Sequence, residues 1–359
     1  LLMKNIYPWQ NEVWQILARD HASRGHALLL KGGKGTGKLG FAQYLAKYLL
    51  CEKPSSKSEA SENCPSCRWF EQGGHPDFRL VEPETLSELS DEINTKVRSD
   101  TEANTEVRLS NTKSRKKPSK QISVVQIRAL TDLIHMSSHR GGYKIILIHP
   151  VETMNVAAAN ALLKNLEEPP PQTLFILVTH RPHHLLPTIR SRCRQIAMPT
   201  PDFTQAIDWL DQQGIKDPKA SLALAAVGYA PLAALEYNDD EYFLQHESFI
   251  KHISTLKSLN PIFLAEEMQK SDLPTVVNWL QKWCYDLISY RITGRIRYHL
   301  AMQTTINALV PKIDPRQLAR YLRSLIDMQR LSHHPLNPRL FLEEILISYA
   351  MLMAPARSN

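Results

Sequence analysis

The chain has 359 residues, 43% of them hydrophobic, enough for two or three domains with sizeable cores. Its formal net charge of +7 is compatible with nucleic acid nearby without selecting for it. Five cysteines, three of them between positions 51 and 67, argue against a disulfide scaffold and for a reducing, cytoplasmic setting. No uninterrupted apolar run is long enough to span a bilayer, so no membrane association is expected.

Residues 1–9 contain no apolar core of signal-peptide length, and Met3 is a candidate start. Residues 7–21 read as an amphipathic helix with Val13, Leu17 and Ala18 on one side. His26-Ala27-Leu28-Leu29-Leu30-Lys31 reads as a buried strand and runs directly into Gly32-Gly33-Lys34-Gly35-Thr36-Gly37-Lys38-Leu39. Strand, glycine-rich turn and helix form the context of a phosphate-binding loop, in which backbone N–H groups and a lysine receive phosphate. Gly32, Gly37 and Lys38 fit that pattern. The next position should carry a hydroxyl for Mg²⁺, yet it is Leu39, which has no oxygen to offer a hard cation. The residues therefore allow either a nucleotide held without hydrolysis or a glycine turn kept for packing.

Cys64-x-x-Cys67, with Cys51 upstream, has the spacing of a metal-chelating knuckle. The plainer alternative is three reduced thiols. From about 84 to 121 the chain turns to Ser, Thr, Asn, Glu and Lys and ends in a basic cluster at 113–120. So few apolar side chains cannot offset ordering entropy, and the segment reads as a flexible insertion. Regular structure is expected to resume over 122–128, followed by a helix through Ala129, Leu130, Leu133 and Ile134.

Two short apolar runs, at 144–149 and 173–179, read as strands covered on both faces, and the helix between them, 155–168, stops at Pro169. This β-α-β unit implies a mostly parallel α/β sheet. Leu185, Leu186 and Ile189 then read as a helix face, followed by Ser191-Arg192-Cys193. Beyond Pro201 everything reads as helix: 203–213, 218–227, 231–236, a core face at Val276, Val277, Leu280, Trp283, Cys284, Leu287 and Ile288, then 318–331 and 340–352.

The segment Ala159-Asn160-Ala161-Leu162-Leu163-Lys164-Asn165-Leu166-Glu167-Glu168-Pro169-Pro170, with Ser191-Arg192-Cys193 after it, resembles the clamp-loader branch of the AAA+ ATPases. Within that branch the chain looks most like the delta-prime class of bacterial DNA polymerase III subunits, over nearly its whole length apart from the insertion. The resemblance implies a P-loop-type α/β domain at 1–199, a three-helix lid at 200–241 and a helical collar for oligomerisation at 242–359. It also implies an Asp-Glu pair where this chain has His149-Pro150, and an arginine after a glycine in the lid where Gly228-Tyr229-Ala230-Pro231-Leu232 has none. No Mg²⁺ site and no intrinsic ATPase activity are therefore expected, and ATP or ADP binding is doubtful. Polymerase activity is expected only of the holoenzyme that such a subunit joins.

The resemblance further implies a structural zinc on four cysteines. Cys51, Cys64 and Cys67 are present, the fourth falls at about Ser61, and Glu62 or a water is a candidate to complete the shell. Arg192 is implied to act in trans, as an arginine finger in a neighbouring subunit's ATP site, against the alternative of a solvated basic turn. Cys193 is then a packing cysteine. Implied partners are the gamma or tau motor subunits, the delta subunit and, through them, the sliding clamp and primed DNA. Two rival readings are an active ATPase motor subunit and a DNA-binding scaffold, the latter marked by salt-dependent DNA binding without partners.

Overall fold

The computed structural model describes residues 6–19, 25–54, 60, 64–87, 118–135, 138–139, 142–237, 240–255, 259–334 and 336–354. The chain divides into two compact units, Leu1–Pro201 and Asp202–Asn359.

The first unit is built on a parallel sheet of β1 (Ala27–Lys31), β2 (Phe78–Val81), β3 (Lys144–Ile148), β4 (Thr173–Thr179) and β5 (Arg194–Ala197), in the order β2-β3-β4-β1-β5. Around it lie α1 (Asn11–Arg19), α2 (Lys38–Leu50), α3 (Pro65–Glu71), α4 (Val124–His135), α5 (Val156–Glu167) and the short α6 (Pro187–Arg192). Alternate strand residues enter opposite cores. Leu28, Leu30, Ile145, Leu147, Ile176 and Val178 pack with Leu17, Phe41 and Leu45 on one face. Leu29, Ile146, Ile148, Phe175 and Leu177 pack with Leu130, Leu162 and Leu166 on the other. Burying both faces explains why β3 is apolar over 145–148 and β4 over 174–178, each such side chain contributing about 2 kcal/mol.

The β-α-β unit follows the sequence closely. Asn155 caps α5 by accepting from Ala158 N at 2.8 Å, and Glu168, next to Pro169, leaves the helical region as residues before proline do. Three expectations need correction. The helix expected after residue 128 begins at Val124, because Ser123 and Gln126 form a reciprocal capping box (Ser123 N to Gln126 Oε1 2.8 Å, Gln126 N to Ser123 Oγ 3.4 Å). Leu185 and Leu186 precede α6, which starts at Pro187, where a missing N–H costs nothing. The first helix is entered through a 3-10 turn, Pro8–Gln10. Most of the expected insertion, 88–117, lies outside the described residues. Its two ends are joined, since Ser119 N donates to Glu84 Oε2 at 2.8 Å and Thr85 N to Ser119 O at 3.3 Å.

The second unit is helical: α7 (Phe203–Gln212), α8 (Lys219–Val227), α9 (Pro231–Tyr237), α10 (Asp240–Ser254), α11 (Pro261–Met268), α12 (Leu273–Thr293), α13 (Gln303–Leu309), α14 (Pro315–Leu331) and α15 (Pro338–Met353). It holds two hydrophobic clusters. The smaller gathers Ala206, Leu210, Ala223, Leu224, Ala234 and Tyr237 from α7–α9. The larger centres on Trp283, Cys284, Leu287 and Tyr349. Among the described residues no single helix is long and apolar enough to cross a membrane.

Candidate functional site

The carboxyl ends of the parallel strands bring together residues far apart in sequence, as is usual for sites on such sheets. β1 ends in the glycine loop, and Gly37 opens α2 with φ +83°. There a side chain would be strained, and the Tyr7 ring already lies where a Cβ would go. Trp9 Nε1 and Gln10 Nε2 both donate to Thr36 O, at 3.2 and 3.0 Å, so the 3-10 turn is tied directly to the loop. Thr36 Oγ1 donates to Gly33 O at 3.1 Å, and Lys38 Nζ donates to the same oxygen. Lys38 is buried; desolvation draws its amine down to about 8, against the opposing pull of Glu152. Leu39 packs its side chain against the apolar core under the loop.

At the end of β3, in place of an acid pair, stands His149. Its Nδ1 lies 3.0 Å from Glu82 Oε1, at the end of β2, and its Nε2 lies 3.2 Å from His180 Nε2, at the end of β4. The carboxylate places a proton on His149 Nδ1, and one of the two facing Nε2 atoms donates to the other. His180 Nδ1 is buried and has no hydrogen-bond partner among the described residues. Burial, followed by the charges of Lys38, His149, Lys34 and Arg181, lowers His180 to about 3, so it is neutral. Glu152 reaches this cluster by accepting from His180 N at 2.9 Å. Two imidazoles and the carboxylates of Glu82 and Glu152 thus gather at the carboxyl ends of β2, β3 and β4.

Arg192 ends α6 at the surface. Its Nη2 lies 2.6 Å from Glu167 Oε1 and its Nη1 donates to Thr188 O at 3.0 Å. Ser191 Oγ donates to Thr188 O at 3.0 Å, while Cys193 turns into the core. Burial pushes the Cys193 thiol up to about 12, which leaves it inert as a nucleophile.

Cys51, Cys64 and Cys67 are buried, with sulfurs within 4.8 Å of one another. Cys64 is the N-cap of α3 and its Sγ accepts from Cys67 N at 3.4 Å. Burial raises the Cys64 thiol, but N–H donors from Cys67 and Glu52 outweigh it and the net shift is downward. Cys67 moves the other way, raised by burial and by its two sulfur neighbours. A buried trio that resists carrying several negative charges suits a cation, and three thiolates supply three corners of a tetrahedral zinc shell. His75 is already engaged: Asp77 N donates to its Nδ1 at 3.1 Å, and its Nε2–H donates to Ser66 Oγ at 2.9 Å, which in turn donates to Leu50 O. Ser61 and Glu62 lie outside the described residues.

The family model described as DNA polymerase III, delta subunit, matches residues 9–202. DNA polymerase III subunit delta-prime of Pseudomonas aeruginosa is 31% identical, over 98% of this chain and 100% of that protein. The chain belongs to the delta-prime family of DNA polymerase III. The Escherichia coli member is 26% identical over 97% of this chain and 96% of its own. A solved gamma subunit-related protein of Thermotoga maritima aligns with 96% of this chain and 100% of its own, at 19% identity and TM-score 0.42.

For this delta-prime family chain the fold is an α/β unit on a five-stranded parallel sheet followed by a helical unit. Gly32 and Gly37 lie in one loop and Lys38 opens the helix that follows it, His149 lies on the same carboxyl edge of the sheet, and the three cysteines converge. Gly228 is the left-handed C-cap of α8, and the Tyr229 ring after it has the Arg297 guanidinium 5.7 Å from its centroid. Glu82, His180, Glu167 and the Tyr7–Gln10 turn were not singled out from sequence. The first two could have been found by asking which residues end neighbouring parallel strands.

Proposed function

We propose that this chain is a clamp-loader subunit of DNA replication that does not hydrolyse ATP. It acts as a stator, anchors one end of the loader ring and supplies Arg192 to the ATP site of the adjacent motor subunit. The observation that carries the non-hydrolysing part is the strand-end chain of Glu82, His149 and His180. Neither imidazole is a hard oxygen ligand, and Leu39 removes the other Mg²⁺ contact. Lys38, donating to Gly33 O, is consistent with a loop that serves packing.

Arg192 supports the trans role by chemistry and place. A guanidinium is always charged and planar, suited to the negative charge that develops on a transferring phosphoryl group. A group acting in another subunit's site does not depend on its own chain's catalytic machinery. In this reading 200–241 serves as lid and 242–359 as collar. The partners are the gamma or tau motors, the delta subunit and, through them, the sliding clamp and primed DNA, all in the cytoplasm. The three cysteines would hold a zinc that fixes the α2–α3 connection and takes no part in chemistry.

The test is DNA- and clamp-stimulated ATP turnover by a loader reconstituted with wild-type chain or with Arg192→Ala, ring assembly being checked by size exclusion. Turnover at the adjacent site should be lost with the ring intact. Unchanged turnover would remove the trans role, and turnover by this chain alone would replace the stator with a motor.

A further inference from the structure

Glu167 is the last residue of α5 and Arg192 the last of α6, so two helix C-termini meet at this ion pair. A carboxylate at a helix C-terminus faces the negative end of the dipole and is unfavourable unless a cation answers it. Arg192 does so through Nη2 at 2.6 Å, while its Nη1 reaches back to Thr188 O at 3.0 Å within its own last turn. Both anchors engage the two terminal nitrogens. Nη1 also reaches Ser191 Oγ, at 3.5 Å, so both its hydrogens are engaged, whereas among the described residues nothing takes the Nε–H and Nη2 keeps a second hydrogen. The pair is partly exposed, Arg192 at 35% and Glu167 at 48% of the side chain. The guanidinium is thus held in one orientation while two of its five donors, Nε–H and one Nη2–H, stay unspent.

We propose that Glu167 is a positioning residue for Arg192: it fixes the guanidinium plane so that the remaining donors face the neighbouring subunit already ordered. The inference rests on the trans role proposed above. A long flexible side chain that must be ordered during docking pays for it in rate, and a preset orientation removes that cost. The alternative sign, in which Glu167 sequesters the arginine and slows the reaction, is distinguishable because it reverses the effect of removing the carboxylate.

The experiment uses the complete reconstituted loader with clamp and primed DNA, and compares Glu167→Ala, Glu167→Gln, Arg192→Ala and the Glu167→Ala/Arg192→Ala double variant. Glu167→Ala should lower kcat about threefold to tenfold with KM for ATP little changed, as expected for lost orientation. Glu167→Gln keeps an oxygen acceptor for Nη2 and should restore at least half of wild-type kcat. In the Arg192→Ala background Glu167→Ala should have no further effect. Unchanged or raised kcat in Glu167→Ala, a Gln variant as impaired as the Ala variant, or a further loss in the double variant would each overturn positioning while leaving the trans role standing. An Arg192→Ala loader with wild-type turnover would overturn both.

Discussion

His149 Nε2 lies 3.2 Å from His180 Nε2, and the two rings meet nearly edge to face at 84°. The contact cannot form with both imidazoles protonated, because two imidazolium rings would present donor to donor, and His180 is the ring held neutral. His180 is held at about 3 in the fold against 6.5 when unperturbed. In that window the unfolded chain binds a proton that the native chain does not, so stability is full above 6.5 and falls as pH drops towards 3. The slope is about 1.4 kcal/mol per pH unit. Urea midpoints at about pH 7 and about pH 5 should therefore diverge more for wild type than for His180→Asn. Parallel pH profiles for the two proteins would show that His180 does not carry this linkage.

The same contact marks how far the sequence could be read. β3 and β4 were legible because burial on both faces demands unbroken apolar runs. The edge strands β2 and β5 were not: Phe-Arg-Leu-Val and Arg-Gln-Ile-Ala have no such pattern and are strands because β3 and β1 pair with them. Lys38, Leu39 and His149 were legible because a local motif fixes what should stand there. Glu82 and His180 acquire meaning only once strand order makes β2, β3 and β4 neighbours. Glu167 was within the recognised segment, but its partner depends on where two helices end.

Gly37 and Tyr7 make a second testable pair. An alanine at position 37 would adopt φ +83° and place its Cβ within 2.3 Å of Tyr7 Cε2. The backbone strain alone costs about 1 kcal/mol, and the displaced ring adds about 1–2 kcal/mol more. Gly37→Ala should thus destabilise the first unit by about 2–3 kcal/mol. In a Tyr7→Ala background the same change should cost only the backbone part, a coupling that a double-mutant cycle by urea denaturation would detect. Strict additivity would mean that the ring moves away freely and does not brace the loop.

Cys64 has two separable tasks. Serine retains its N-cap function for α3, since an oxygen accepts from the backbone at least as well as sulfur, but it cannot supply a thiolate. Cys64→Ser should leave the helix capped and abolish zinc retention, read as metal content after exhaustive dialysis. Wild-type protein should lose thermal stability when a strong chelator is added, through removal of a ligand bound only by the native state. The Cys64→Ser protein should be indifferent to the chelator. Equal zinc content in both proteins would place the metal elsewhere or make Cys64 dispensable to it.

Asp286 in the second unit is fully buried on α12 and accepts from Arg297 N at 2.9 Å, Tyr298 N at 3.1 Å and His299 N at 2.8 Å. Its Oδ2 also lies 2.8 Å from His299 Nδ1, which donates to it. The carboxylate is thus the shared acceptor for a loop whose next contacts reach α8 and its C-terminal turn: Tyr229 donates to Arg297 O at 3.4 Å, and Lys282, also on α12, donates to Ala226 O at 2.9 Å. Asp286→Ala would strand three backbone donors and one imidazole N–H, of which the two His299 groups are buried and the Arg297 and Tyr298 amides part-buried. Each lost partner costs about 1 kcal/mol or more, and the substitution should destabilise the second unit by about 3–5 kcal/mol. Asp286→Asn keeps an oxygen towards the backbone donors but turns an NH₂ towards one of the others, and should fall between the two. Hydrogen exchange would localise the effect: the amides of 297–299 should lose protection first, then those of α8, while β3 and β4 in the first unit keep theirs. Simultaneous loss across both units would show that the loop does not form a local stabilising unit.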